Sequence, residues 1–474
     1  MLFNSIEYFY FLLGVVTLYF AVPFRFRWVL LLVASYAFYM SWNPVYVVLI
    51  LTVTIVNFWA GLKLQRTRSS ENRRWVLLVS LVVSLGLLFG FTYWGFFFEN
   101  LHFLSADIAA WMFEVGEGLL LPVGISFYTF QTLSYTIDVY RGQLRAESHF
   151  GRFALYVSFF PQLVAGPIER AGRLLPQFWE EFAFDWDRVS RGLQLILWGL
   201  FKKVVIADRL ALYVDAVYGN VGHHDGSTYL LATYAFAFQI YCDFSGYTDM
   251  ARGSAQILGF DLMENFRTPY FAKTIQEFWR RWHISLSTWL RDYLYIPLGG
   301  NRGGLRRTQI NLALTMLLGG LWHGASWNFV IWGGLQGVFL SLSRATIPFR
   351  DQFFQRVRFP SRLRKLIQMA ITFNLVCFCW IFFRAETLGD SAEIIARIFS
   401  PWERPFLETH TLAHGSVGLA LLLFIEMFRE RVGSLRDAVS ELPIPVRWFA
   451  WYMLIFLIIT FGVDGGGQFI YFQF

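Results

Sequence analysis

Two histidines within the apolar, membrane-type part of the chain are the residues of this sequence best suited to proton transfer. His323 lies in the Trp-His-Gly-Ala-Ser stretch at 322–326, and His283 lies earlier, in a segment rich in tryptophan and arginine at 278–285. A neutral imidazole can take a proton from an alcohol and later give it to a leaving group. Acyl transfer to a hydroxyl requires this chemistry, so His323 is the candidate general base.

Each histidine also has a purely structural interpretation. His323 could hydrogen-bond a neighbouring helix and do nothing more. His283 could belong to an aromatic and basic anchor at a membrane interface. The residues alone leave both alternatives open.

A third group of polar side chains lies in an otherwise apolar region at 239–249. Asp243, Ser245, Tyr247 and Asp249 occupy alternate positions there. Alternation does not fit one helix face, so the pattern predicts a broken helix or re-entrant turn that forms a polar wall. A structural hydrogen-bond network is the alternative. Ser245 lacks a Gly-x-Ser-x-Gly context and is not predicted to be a nucleophile.

Composition defines the setting of these residues. The 474 residues are 56% hydrophobic, 20% aromatic and 15% charged, which is more apolar surface than one soluble core can hide. No polar linker divides the chain, so residues 1–474 are predicted to form a single membrane-embedded domain. The three cysteines have no zinc-type spacing, which predicts neither a metal site nor a disulfide framework.

The net charge of +7 does not by itself indicate a nucleic-acid partner. The lysines and arginines lie between apolar segments, and neither a basic helix nor a stacking motif accompanies them. Membrane lipid, and not nucleic acid, is the predicted surrounding.

Apolar windows able to cross a hydrocarbon core of about 30 Å recur along the chain. The windows are near 8–22, 28–41, 46–62, 76–97, 366–383, 413–428 and 448–463. The basic residues between them place the loops at 25–27 and 63–74 and the stretch 344–365 in the cytoplasm. The N-terminus, segment 98–118 and the residues after Asp464 are then outside. We expect an all-α polytopic membrane protein with about 11 spans.

The centre of the chain departs from this simple pattern. Residues 264–309 carry too many charges for a lipid-facing span, which predicts re-entrant or cytoplasm-facing helices around a polar cavity. Next, Ile310–Ser343 would measure about 51 Å as one helix, so we expect it to bend or break at 322–326. That places His323 near the deepest point. The glycines on both sides of the break favour close helix packing.

Six motifs together resemble the membrane-bound O-acyltransferase family, in particular its bacterial alginate O-acetyltransferase branch. The motifs are Pro122–Tyr128, Phe160–Pro167, Asp243–Asp249, Glu277–Gly304, Gly319–Ala325 and Tyr471–Phe474. The resemblance covers nearly the whole chain and is least distinctive at 345–446. It implies a helical membrane fold around a central passage. It also implies that His323 is catalytic and that His283 is a second active-site residue.

The resemblance further implies where the acyl group comes from and where it goes. The donor would be cytoplasmic acetyl-CoA, with no tightly bound cofactor and no metal. The acetyl group would pass across the bacterial inner membrane to periplasmic acetyltransferase proteins, which modify an exported polysaccharide such as alginate. The alternatives are a component of cellulose or peptidoglycan O-acetylation, a transporter, and a scaffold of a polymer-export complex.

Seven residues are predicted to bind substrates. Arginine offers a planar set of charge-assisted donors suited to the phosphates of a CoA-like donor, although anchoring on the cytoplasmic side is an equal alternative for these arginines. The predicted substrate-binding residues are Arg280, Arg281, Arg302, Asn301, Trp322, Asp243 and Ser245.

The C-terminal segment, residues 465–474, carries one hydroxyl, that of Tyr471. Three glycines at 465–467 predict a flexible hinge, and the aromatic residues after them predict docking in an apolar recess. An interfacial aromatic belt is the alternative. The end of the segment is similar to that of a small companion peptide in a related D-alanyl transfer system. That resemblance implies that Tyr471 is a catalytic acyl carrier, and the alternative is that His323 helps move acetyl straight to a partner.

Overall fold

The computed structural model describes residues 1–100, 122–164, 166–357, 360–433, 442–463, 467 and 469–472. Throughout these ranges the chain forms helices and no strand. The predicted outer segment 98–118 lies outside the described residues from position 101 onward. The same is true of the predicted hinge glycines at 465 and 466.

Two compact units divide the described chain. One comprises 1–196 with 250–263, and the other comprises 197–249 with 264–474. The helices that belong to the first unit or begin in it are α1 (Ile6–Ala21), α2 (Phe24–Met40), α3 (Tyr46–Arg66), α4 (Ser70–Leu88), α5 (Trp94–Glu99), α6 (Ile125–Tyr140), α7 (Phe150–Ser158), α8 (Phe160–Leu163), α9 (Ala171–Gln177) and α10 (Trp186–Phe201). The single-domain organisation of residues 1–474 stays a prediction.

A buried asparagine joins three helices of the first unit. The Asn57 amide on α3 donates to Ser84 on α4 at 3.0 Å, and its oxygen accepts from Ser80 at 2.8 Å and from Thr136 on α6 at 2.7 Å. Hydrogen bonds of this kind stabilise helix association where no hydrophobic difference between helix and lipid is available.

Two of the sequence motifs contact each other in this unit. Gly124 precedes α6 with φ of 76°, a conformation that favours glycine, and a Cβ there would lie 2.9 Å from the Leu163 carbonyl. Gln131 on α6 and Gln162 on α8 exchange hydrogen bonds at 2.7 and 3.3 Å. These motifs therefore hold helices together within the first unit.

The second unit starts within α10 at Leu197. Its further helices are α11 (Asp208–Tyr218), α12 (Gly226–Leu258, up to Asp249 in this unit), α13 (Ile275–Arg281), α14 (Ile284–Leu290), α15 (Gly304–His323), α16 (Trp327–Ala345), α17 (Ile347–Arg356), α18 (Ser361–Arg384), α19 (Leu388–Ile398), α20 (Thr409–Val432) and α21 (Ile444–Phe461). Two π-helical segments, Lys202–Ala207 and Arg291–Tyr295, and two short 3-10 turns, Pro269–Phe271 and Ile470–Phe472, complete it.

Five helical stretches in the described chain are long and apolar enough to cross a membrane. They are Tyr46–Arg66, Ser70–Glu99, Ser361–Arg384, Thr409–Val432 and Ile444–Phe461, and α1 is a shorter apolar helix. Each corresponds to a window predicted from hydropathy. The count of about 11 spans is not confirmed, because several helices are too short or too polar to meet these criteria.

The predicted break in Ile310–Ser343 is confirmed. Helix α15 ends at His323, and α16 begins at Trp327 after a cap in which the Ser326 side chain accepts from the Asn328 N–H at 3.2 Å. A Cβ on Gly320 would lie 2.3 Å from the Phe329 carbonyl oxygen. The backbones of α15 and α16 therefore touch, and the hairpin they form holds His323 at its tip.

The charged centre does not form one long helix, and its predicted re-entrant or cytoplasm-facing placement around a polar cavity stays a prediction. Residues 264–309 form short helices in place of one membrane span. These are α13, α14 and the π-helical segment Arg291–Tyr295. The many charges are the physical reason, because a continuous lipid-facing helix could not pair them.

The prediction of a broken helix at 239–249 is wrong. Helix α12 runs without interruption through all these residues. The alternating pattern consists of two pairs, Asp243 with Tyr247 and Ser245 with Asp249, and residues four apart lie on one helix face. Each pair faces its own partners, so no break is needed.

Candidate active site

His323 lies at the C-terminal end of α15, buried among aromatic rings. Its ring centroid is 4.9 Å from those of Trp322 and Trp332, 5.5 Å from Phe383 and 5.6 Å from Tyr471. Its Nδ1 atom is buried and has no hydrogen-bond partner among the described residues. Desolvation favours the neutral imidazole, which is the form that can accept a proton.

His283 is fully buried between α13 and α14 and is held by Asn265. The Asn265 Oδ1 atom accepts from the Ser285 backbone N–H at 3.1 Å and from the Ser285 hydroxyl at 2.9 Å. A backbone N–H can only donate, so the atom facing it is the amide oxygen. His283 Nδ1 lies 3.3 Å from the same oxygen. Nδ1 therefore carries the hydrogen, and the lone pair lies on Nε2.

The backbone at His283 is strained. Its φ is 42°, in the left-handed region that residues with a Cβ rarely adopt, and Thr268 has the same φ. Strained backbone of this type persists only where its surroundings enforce it, and it is concentrated at functional sites. Here the Asn265 carbonyl accepts from the Ile284 N–H at 3.0 Å and fixes the turn.

Trp322 connects the two histidines. Its ring centroid is 4.9 Å from that of His323 and 6.0 Å from that of His283. The structure therefore brings His283 and His323 together around one tryptophan, and their catalytic roles stay predictions. Trp322, predicted to bind substrate, lies between the two imidazoles.

Tyr471 packs into the same aromatic cluster. Its ring centroid is 4.6 Å from Phe244, 5.5 Å from Phe469 and 6.3 Å from Phe383, and it is next to His323. Its hydroxyl is buried and has no hydrogen-bond partner among the residues that the structure describes. The apolar recess predicted for the C-terminal segment corresponds to a cluster of rings on α12, α15 and α18.

Polar contacts at Gly467 and Ile470 secure the described part of this segment. The Ile470 N–H donates to Asp243 Oδ2 at 2.7 Å, and Lys203 Nζ donates to the Gly467 carbonyl at 3.1 Å. Lys203 Nζ also pairs with Asp243 and with Asp208, each at 2.7 Å. Asp243, predicted to bind substrate, thus contacts the chain's own C-terminal segment.

Ser245 and Asp249 face a different lysine. Lys202 Nζ lies 2.9 Å from the Ser245 hydroxyl and 2.6 Å from Asp249 Oδ2. The described contacts of Ser245 do not include either histidine. Its assignment to substrate binding stays a prediction.

The remaining predicted substrate-binding residues, the three arginines and Asn301, differ in their surroundings. Arg281 pairs with Glu277 at 2.7 Å and also with Glu430, and it donates to the Thr268 hydroxyl at 3.0 Å. Arg280, Asn301 and Arg302 are exposed. Arg281 is thus committed to carboxylates of its own chain, whereas Arg280 and Arg302 present their charge to the surroundings.

Sequence reasoning missed five residues of this site. They are Lys203, Asp208, Asn265, Trp332 and Phe383. The adjacent lysines at 202 and 203 lie in an apolar run that ends at Asp208, and charge in such a run is a signal of function. The roles of Trp332 and Phe383 come from ring packing and leave no such signal.

Comparison with known proteins gives consistent results. The sequence profile of the membrane-bound O-acyltransferase family matches residues 140–383. The chain is 41% identical to a probable alginate O-acetylase of Azotobacter vinelandii, over 86% of this chain and 80% of the relative. It is 39% identical to a probable alginate O-acetylase of Pseudomonas putida, over 96% of both chains. It is 37% identical to a peptidoglycan O-acetyltransferase of Helicobacter pylori, over 77% of this chain and 72% of the relative.

Proposed function

The chain belongs to the membrane-bound O-acyltransferase family, and we propose that this multi-pass acyltransferase moves acetyl groups from a cytoplasmic donor across the bacterial inner membrane for O-acetylation of an exported polysaccharide. The proposed donor is acetyl-CoA. Periplasmic acetyltransferase proteins would receive the acetyl group. Alginate is the proposed polymer, because relatives that match most of this chain are named as alginate O-acetylases.

One observation carries the proposed chemistry, the contact between His323 and Tyr471. Both the imidazole Nδ1 and the phenol hydroxyl are buried, and neither has a hydrogen-bond partner in the described part of the chain. Buried polar atoms are nearly always paired, and exceptions are often catalytic. The contact therefore combines a base and a hydroxyl in surroundings that exclude bulk water.

The first step would load Tyr471. As the phenol oxygen bonds to the acetyl carbonyl carbon, His323 takes the phenolic proton. The carbon–sulfur bond of the donor then breaks, and the imidazole gives its proton to the leaving thiolate. The products are free thiol and an acetyl ester of Tyr471.

The second step would unload it. An acceptor hydroxyl attacks the ester carbonyl, and a base takes its proton. The bond between carbonyl carbon and phenol oxygen breaks, and the phenolate recovers a proton. Phenol is a better leaving group than an aliphatic alcohol, since its pKa is about 10. A tyrosine ester can therefore pass acetyl to a serine or sugar hydroxyl downhill.

The direct test uses purified protein and acetyl-labelled acetyl-CoA without partner proteins. The proposal predicts donor cleavage and label attached to the chain. A transporter would release no CoA thiol, and a scaffold would neither cleave the donor nor take up label. Either of these results would reject the acetyl-transfer function.

A further inference from the structure

A buried ion cluster outside the acyl-transfer residues contacts the C-terminal segment. Lys203 lies between Asp208 and Asp243, with side-chain exposures of 2%, 3% and 4% for the three residues. Burial of three charges carries a large desolvation cost, which close pairing only partly offsets. Two carboxylates facing one ammonium leave the cluster short of hydrogen-bond donors.

The C-terminal segment supplies what the cluster lacks. The Ile470 N–H gives Asp243 a further donor, and the Gly467 carbonyl gives Lys203 a further acceptor. Both contacts use backbone atoms of the segment. They act on either side of Phe469, whose ring packs 4.6 Å from that of Tyr247.

Helix α12 aligns these contacts. Asp243 and Tyr247 lie one turn apart on the face that meets the segment, and Phe244 packs against Phe469 and Tyr471. With 467 and 470 held by charge-assisted bonds, residue 471 has little freedom to leave His323.

We propose that Lys203 and Asp243 are positioning residues that hold the backbone at residues 467 and 470 in place so that the Tyr471 ring lies against His323. The cluster acts through Tyr471 and does not contact the reacting atoms. This proposal rests on the proposed function for the role of Tyr471. Docking of the C-terminal segment can be measured whether or not Tyr471 carries acetyl.

The reporter is the thiol introduced by Ile470→Cys in the purified full-length protein. Ile470 is 2% exposed and its bond to Asp243 is made by the backbone, so the substitution keeps that contact. The natural cysteines, Cys242, Cys377 and Cys379, are buried, and the protein without Ile470→Cys gives their background. We measure the rate of maleimide labelling in detergent.

We expect slow labelling in the reporter protein and labelling about tenfold faster or more after Lys203→Met or Asp243→Ala. Asp243→Asn retains an oxygen that can accept from the Ile470 N–H, so its effect should be smaller. Lys202→Met is the matched control. Lys202 is equally buried on the same π-helical segment and pairs with Asp249, and its described contacts do not include the C-terminal segment.

Two results would overturn the proposal. One is unchanged labelling after both Lys203→Met and Asp243→Ala in proteins that elute as folded monodisperse species. The other is acceleration by Lys202→Met as large as that by Lys203→Met, which would mean general loosening. If Lys203→Met fails to fold, the graded pair Asp243→Asn and Asp243→Ala decides by the same criterion.

Kinetics separate positioning from a general structural role. Lys203→Met should lower kcat for acetyl transfer and leave the KM of acetyl-CoA unchanged, because the donor does not need the segment to bind. Tyr471→Phe keeps both backbone contacts, so its labelling at position 470 should stay slow. Failure of Tyr471 as a carrier and failure of the cluster as an anchor therefore appear in different measurements.

Discussion

The imidazole of His323 and the phenol of Tyr471 lie 5.6 Å apart between ring centroids, although they come from a helical hairpin and from a separate C-terminal segment. The contact brings together the predicted general base, His323, and the predicted acyl carrier, Tyr471. Substitution of either residue therefore tests the loading step.

His323→Ala should abolish acetyl transfer while the protein stays folded, because loss of a proton-transfer group lowers rates about 10²–10⁴-fold. The rate of acetyl transfer is measured as release of CoA thiol by the purified protein. His410→Ala, at an exposed histidine on α20, is the matched control and should behave as wild type. Near-normal thiol release from a stable His323→Ala protein would remove His323 from the mechanism.

Tyr471→Phe should abolish polymer acetylation with little loss of stability, since the ring and its packing are retained. In wild type without partner proteins, mass spectrometry should find acetyl on the peptide containing Tyr471. Tyr452→Phe changes an exposed tyrosine on α21 and should leave both results unaltered. Full activity in Tyr471→Phe, with no acetyl-tyrosine in wild type, would show that the segment is only an anchor.

The left-handed backbone at His283 predicts that glycine gives a more stable protein than alanine at this position. Glycine adopts φ of 42° without a steric penalty and alanine does not, so His283→Gly should unfold at about 1 kcal/mol higher free energy than His283→Ala. Denaturation in detergent measures the difference. Equal stabilities would mean that the backbone relaxes. Acetyl transfer should be impaired in both proteins.

Arg281 and Arg280 should have different roles. Arg281 should contribute to stability, and Arg280 should contribute to donor binding. Arg281→Ala removes pairings with Glu277 and Glu430 and should cost about 1–3 kcal/mol of unfolding free energy. Arg280→Glu changes an exposed residue and should mainly raise the KM of acetyl-CoA. An unchanged KM in Arg280→Glu, and in Arg302→Glu, would exclude both from donor binding.

Because the backbones of α15 and α16 touch at Gly320, we expect this position not to accept a larger residue. A methyl group there would lie 2.3 Å from the Phe329 carbonyl, whereas one at Gly334 would lie 3.5 Å from the nearest atom, on the Leu317 side chain. Gly320→Ala should destabilise the protein by about 1–3 kcal/mol and lower activity by displacing His323, and Gly334→Ala should do neither. Equal behaviour of the two would argue against tight hairpin packing.

The sequence predicted the long apolar helices and the break at 322–326 because hydropathy and helix length are local properties. It failed at 239–249, where one helix has different partners on different faces. Asp243 and Tyr247 meet Lys203 and the C-terminal segment, whereas Ser245 and Asp249 meet Lys202. Which lysine each pair meets depends on how distant segments pack.

The site shows the same division. The histidines were identifiable by residue type and setting, and Tyr471 by resemblance. Asn265, which orients His283, was not identifiable, because an asparagine in a polar segment has no distinctive pattern. Its role is visible only in the folded chain, where a turn places the Ser285 N–H and His283 Nδ1 next to the Asn265 amide oxygen.

Since Tyr471 and His323 belong to one chain, the proposed loading step has a built-in local concentration. Tethered groups meet at an effective concentration of about the millimolar order, whatever the dilution of the protein. Loading would therefore proceed at the same rate in sparse and in crowded membranes. Unloading requires a separate molecule and follows mass action, so the supply of acceptor would govern how long each acetyl group waits on the enzyme.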